Sequence, residues 1–94
     1  MIIGLCTLDL YIPQSQSLKD KRRVVQSVIA HLRNDFNVSV AEVDQQDRWQ
    51  QATLAVACVS SDRRYAQGLL ERVVRSVQGR EHRLILVDYA VEML

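Results

Sequence analysis

The sequence is short of several residue types, and each shortage excludes a class of protein. With one proline and three glycines in 94 residues, long irregular loops are not expected. Two cysteines are too few for a disulfide framework or a cysteine-rich zinc site. The two histidines, His31 and His82, lie far apart, with no metal-ligand spacing around them. We therefore expect no metal and no cofactor.

The chain also lacks targeting and membrane signals. No apolar run approaches the roughly 20 residues that a membrane-spanning helix needs, and the N-terminus has no signal-peptide pattern. We therefore expect a cytoplasmic protein without membrane contact. The remaining composition, 48% hydrophobic and 24% charged, is typical of one globular domain over residues 1–94. The net charge is only +1, although 10 of the 12 basic residues are arginine.

Hydrophobic periodicity divides the chain into six elements. Strands are expected at about 2–12, 38–44, 50–60 and 83–93, one helix at about 18–35, and a second between residues 60–62 and Gly79. We expect Gly79 to close that helix in the left-handed conformation. Cys6 and Cys58 fall on strand faces assigned to the core. The order β-α-β-β-α-β predicts a ferredoxin-like α+β fold: a four-stranded antiparallel sheet of order 4-1-3-2 with both helices on one face.

The clearest candidate site opens the first helix. The segment 17–23 (Ser-Leu-Lys-Asp-Lys-Arg-Arg) carries four cations and one anion. Cations are locally unfavourable at a helix N-terminus, whereas the free N–H groups there suit an anion. The functional interpretation is a phosphate-binding corner, and the alternative is a solvated cationic turn. Its predicted members are Ser17, Lys19, Lys21, Arg22 and Arg23. We expect the arginines of the second helix to add area.

Two other features suggest partner surfaces. Trp49, the only tryptophan, either plugs the open end of the core or anchors a partner or stacks on a base. Asp47 and Glu42 are further candidates for the partner surface. The open sheet face lacks the aromatic pair of an RNA-recognition motif. We expect it to be flat and partly apolar, suited to a second copy of the chain. Its large members would be Ile3, Leu5, Leu84 and Leu86.

Several blocks of the sequence resemble the YlxP-like family of uncharacterised bacterial proteins. They are the segment 17–23, the segment 36–44 (Phe-Asn-Val-Ser-Val-Ala-Glu-Val-Asp), and Asp47 with Trp49. The resemblance implies a ferredoxin-like fold, no assigned enzymatic activity, and genes neighbouring those of translation and ribosome-maturation factors. One departure is Ala55, where the family often has glycine. The family's characteristic Glu42 is expected to pair with a basic residue of the first helix.

Two function hypotheses follow. The first is a non-catalytic accessory factor that binds RNA phosphates, with rRNA or a ribosomal particle as the expected partner. The alternative is a protein-interaction module, a homodimer formed through the sheet face or the last strand, with no nucleic-acid role. An enzyme is not expected, because no histidine or nucleophile accompanies the carboxylates around the central hairpin.

Overall fold

The structure is a computed structural model that describes residues 1–80 and 83–94; His82 lies outside the described residues. The predicted order of elements is confirmed. The chain runs through β1 (Ile2–Tyr11), α1 (Leu18–Asp35), β2 (Ser39–Asp44), β3 (Gln51–Ser60), α2 (Arg63–Gln78) and β4 (Ile85–Met93). The strands form one antiparallel sheet of order β2-β3-β1-β4, which is the predicted order.

The core lies between the sheet and the two helices. Alternate residues of β1 point into it, so Cys6 and Leu8 have no exposed surface and Gly4 is buried. A Cβ added to Gly4 would lie 2.9 Å from Leu70 Cδ1, which shows how closely α2 approaches this strand. Cys58 is buried beside them, as predicted. Burial raises the pKa of the Cys6 thiol to about 11 because the thiolate would lose its hydration there.

Both helices begin at residues that cap them. Ser17 accepts a hydrogen bond from the Asp20 N–H at 3.0 Å, and Asp62 accepts one from the Arg64 N–H at 2.9 Å. The other end of α2 differs from the prediction, because Gly79 has φ −67° and ψ −8°, in the right-handed region. The Gly79 N–H still donates to the Arg75 carbonyl at 3.0 Å, so the last turn closes without a reversal of handedness. The predicted left-handed cap is wrong.

An irregularity in β4 overturns part of the predicted sheet face. Asp9 pairs with Asp88, but the next residue, Leu10, pairs with Leu86, so one extra residue of β4 breaks the alternation. Leu84, at 1% exposure, and the partly buried Leu86 therefore belong to the core side. The prediction that Leu84 and Leu86 line the open face is wrong, because the extra residue reverses the alternation on the N-terminal side of the bulge.

The structure has no helix suited to crossing a membrane. Neither α1 nor α2, the helices within residues 1–80 and 83–94, carries the long apolar stretch that a spanning helix requires.

Candidate functional site

The side chains of Ser17 and Asp20 cap the N-terminus of α1 through local hydrogen bonds. Besides capping the Asp20 N–H, Ser17 accepts through its carbonyl from the Ser15 hydroxyl at 3.0 Å. The Asp20 carboxylate accepts from the Gln16 N–H at 3.1 Å. A serine at the cap and a carboxylate in the first turn satisfy part of what an incoming anion would otherwise bind. Ser17 is therefore a structural cap in this corner.

Lys21 does not face solvent, contrary to the predicted corner. Its side chain has 0% exposure and crosses to the hairpin between β2 and β3. The Nζ donates to the carbonyls of Gln45, Gln46 and Gln51 at 2.8, 3.1 and 3.2 Å. Because an ammonium has three N–H donors, these three bonds occupy all of them. Lys21 is not available to a phosphate, and its place in the predicted anion site is a correction.

Glu42 completes the environment of Lys21. Its Oε2 lies 3.0 Å from the Lys21 Nζ, and its side chain is only 18% exposed. This confirms the expectation that Glu42 pairs with a basic residue of the first helix. It is the only ion pair among residues 1–80 and 83–94. Removing one member of such a buried pair typically costs about 3–5 kcal/mol, because the other charge loses its partner.

The remaining predicted cations are at the surface. Lys19, Arg22 and Arg23 are exposed on the first turns of α1. Arg23 also lines a depression of about 220 Å³ beside α1, which continues into a second of about 330 Å³. The two share Val24 and Arg83. The second is further lined by His31 and Arg80, so a basic furrow runs along α1.

Charge is divided between the two layers of the fold. The two helices contain nine basic and three acidic residues, whereas the four strands contain five acidic residues and no base. The arginines of α2, all exposed, are Arg63, Arg64, Arg72 and Arg75. Apart from the buried Lys21, the helix layer therefore presents its bases to solvent. The small net charge conceals a cationic helix side and an acidic sheet side.

The acidic side is clearest in one row across the open sheet face. Asp44 pairs with Thr53, Thr53 with Asp9, and Asp9 with Asp88, so three carboxylate residues share a line through the four strands. The Thr53 hydroxyl donates to the Asp9 carboxylate at 2.9 Å. Within the described part of the chain, no group of three histidine, cysteine or acidic side chains is arranged to hold a metal ion.

The apolar part of that face is smaller than predicted. Ile3 is 36% exposed and pairs with Val59, which is 69% exposed, while Leu5 is half-buried beside Ala57. Ile3 and Leu5 thus lie on the open face as predicted, without Leu84 and Leu86. What remains is a narrow apolar end, a centre of small residues, and the acidic row.

At the tip of the hairpin between β2 and β3, aromatic side chains that are far apart in the sequence line the same depression. Trp49 is 57% exposed, so it does not plug the core. It lines a depression of about 400 Å³ together with Tyr11, Arg48, Gln50 and Gln51. Asp47 is exposed on the same turn. Tyr11 and Arg48 were not predicted as site residues; the only sequence signal is that Arg48 is adjacent to Trp49 in a turn.

Comparison with known proteins places the chain in a family. Residues 3–90 match the family described as "Protein of unknown function (DUF503)". The uncharacterized protein YlxP of Bacillus subtilis (strain 168) is 37% identical over 73 residues, which cover 78% of this chain and 79% of that protein. The de novo designed protein Foldit4 shares the fold, with a TM-score of 0.55 and 12% identity over 100% of this chain and 97% of its own. The predicted YlxP-like resemblance is confirmed, and the protein belongs to the DUF503 family.

Proposed function

We propose that this protein is a non-catalytic accessory factor that binds the phosphate backbone of structured RNA in the cytoplasm, in a ribosomal or translational context. The observation that carries the proposal is the division of charge: the helices contain nine basic and three acidic residues, whereas the strands contain five acidic residues and no base. The primary contacts are Lys19, Arg22 and Arg23, of which Arg23 also lines the basic furrow along α1. Arginine suits this role because its planar fork binds phosphate through two parallel hydrogen bonds.

The charge of the sheet face supports the helix side, and not the sheet, as the RNA-binding surface. Asp9, Asp44 and Asp88 make the open sheet face repel phosphates. Lys21 is excluded from the contact set because it is buried and bonded. The predicted corner is therefore replaced by a cationic surface that begins at α1 and continues over α2.

The test is RNA affinity measured against salt concentration, using rRNA fragments and two matched double variants. Arg22→Gln with Arg23→Gln removes two positive charges from α1. Ala41→Glu with Ala90→Glu changes the net charge by the same amount on the open sheet face, where both alanines are exposed. Each lost phosphate contact lowers the slope of log K against log salt by about 1.

We expect the α1 variant to bind more weakly, with a slope shallower by about 2, and the sheet variant to keep the parent slope. The proposal fails if the α1 variant binds as the parent does. Equal weakening by both variants would also contradict it, because affinity would then follow net charge and not the helix surface.

A protein-interaction module is the second candidate, favoured by the exposed apolar side chains of Ile3, Val59, Ile85 and Val87. A homodimer that stacks two open faces would bring acidic side chains of both copies into one interface, so pairing along the β4 edge is the more favourable geometry. Light scattering at high protein concentration tests it: a monomer would remove the dimer.

A further inference from the structure

The hairpin tip carries two exposed aromatic rings beside a cation. Trp49 is 57% exposed and Tyr11 36%, and both line the depression of about 400 Å³. Arg48, Gln50 and Gln51 complete its lining; we call these five residues the aromatic platform. Leaving a tryptophan ring in water forgoes the stabilisation that its burial would give. A folding role does not explain this arrangement, whereas a binding role does.

The tip is held in place by polar contacts with two other segments of the chain. The Lys21 Nζ binds the carbonyls of Gln45, Gln46 and Gln51. The Gln50 amide donates to the carbonyls of Pro13 and Ser15, both at 3.1 Å. Gln45 adopts φ 62°, a left-handed backbone that an ordinary residue adopts at a cost. A loop whose backbone is fixed on both sides of Trp49 loses little entropy when it binds a ligand.

The chemistry of the platform fits an unpaired nucleobase. Bases stack on exposed aromatic rings and on arginine, and single-stranded RNA is recognised mainly in this way. The side-chain amides of Gln50 and Gln51 offer both donors and acceptors to a base edge. The same lysine that fixes the tip belongs to the first turns of α1, so the platform and the exposed Lys19 and Arg22 share one end of the molecule.

We infer that the aromatic platform stacks an unpaired base of the RNA whose phosphates contact the start of α1. The inference rests on the proposed function and deepens it, because it names a single-stranded segment as the feature recognised. The acidic row lies two residues from Tyr11 along β1, and its carboxylates direct the phosphates away from the sheet face and toward the helix side.

The test compares a single-stranded RNA octamer with an abasic ribose-phosphate octamer of the same charge. Because Trp49 is the only tryptophan, its fluorescence reports base stacking directly in the parent protein. Affinities of all variants are measured by the anisotropy of labelled octamers. Tyr65→Ala is the control for Trp49→Ala, because Tyr65 is another exposed aromatic residue, 56% exposed, on α2. Circular dichroism in urea verifies that each variant folds.

We expect RNA to quench Trp49 and Trp49→Ala to weaken RNA binding about 5- to 150-fold, the range for loss of the stacking of one base. Trp49→Phe should retain most of the affinity, and Tyr65→Ala should change it less than about twofold. The abasic octamer should bind the parent more weakly and be insensitive to Trp49→Ala.

Two results would overturn the inference and separate it from the proposed function. If both octamers bind the parent equally and with a steep salt dependence, phosphate binding stands and the base platform is wrong. If neither octamer nor any rRNA fragment binds, the proposed function fails, and the platform as a base-binding site fails with it; Trp49 would then serve a protein partner.

Discussion

Replacing Lys21 by methionine would remove the ammonium at the junction of α1 and the hairpin while keeping the length of the side chain. The carbonyls of Gln45, Gln46 and Gln51 would lose their donor, and the largely buried Glu42 its counter-charge. Loss of one member of a buried pair typically costs about 3–5 kcal/mol in the free energy of unfolding. This is a large share of the about 5–15 kcal/mol that stabilises a domain of this kind.

The assay is urea unfolding followed by circular dichroism and by the fluorescence of Trp49. With a dependence of about 1–3 kcal/mol per molar urea, a loss of about 3–5 kcal/mol should lower the unfolding midpoint of Lys21→Met by about 1–5 M. Arg22→Met is the matched control: its side chain is exposed one residue away, so its free energy of unfolding should stay within about 0.5 kcal/mol of that of the parent. Lys21→Met with Glu42→Leu should be less destabilised than the sum of the two single variants.

A loss below about 1 kcal/mol for Lys21→Met, equal to that of Arg22→Met, would refute the reasoning. It would mean that Lys21 is hydrated and belongs to the surface cluster that the sequence predicted.

Three further predictions concern the core and the cap. In urea unfolding, Leu84→Ala should lower the free energy of unfolding by about 2–5 kcal/mol and Ile85→Ala by less than about 1 kcal/mol. The reason is that the bulge buries Leu84 and leaves Ile85 44% exposed. The opposite order would show that the side chains of β4 alternate without a bulge. Burial raises the pKa of the Cys6 thiol from 9.0 to about 11, so the protonated thiol stabilises the fold below pH 9 and this contribution is lost as the pH rises toward 11. Between pH 8 and 10.5, the free energy of unfolding of Cys6→Ala should therefore fall less than that of the parent. Equal losses in the two proteins would contradict this prediction. Ser17→Ala should cost about 1 kcal/mol, measured in urea, because the Asp20 N–H loses its cap; an unchanged midpoint would mean that water replaces it.

The sequence predicted the helices best because the signals that define them are local. The apolar stripe of α1 and the cap at Ser17 lie within one segment, and the observed bounds, Leu18–Asp35, match the predicted ones. Alternation likewise assigned the buried face of β1 correctly, since Cys6 and Leu8 have no exposed surface. Gly79 was the exception, because two turn geometries can end a helix and glycine is compatible with both.

The bulge in β4 shows where local alternation is insufficient. Nothing between Leu84 and Asp88 marks an extra residue, because leucine, isoleucine and valine suit either face of the strand. The register comes from pairing with β1, and one unpaired residue exchanged the predicted faces of Leu84 and Leu86.

By itself, the sequence determined the order of elements, the sheet topology, the core face of β1 and the position of the cationic segment, because periodicity and capping act over a few residues. Only the tertiary structure decided which cations are free. Lys21 and Arg22 are adjacent and similarly charged, yet three carbonyls and Glu42 converge on one of them from a hairpin more than 20 residues away. Only the tertiary structure places Tyr11 and Trp49 in the lining of one depression, because the pairing of β1 with β3 brings these residues together although they are far apart in the sequence.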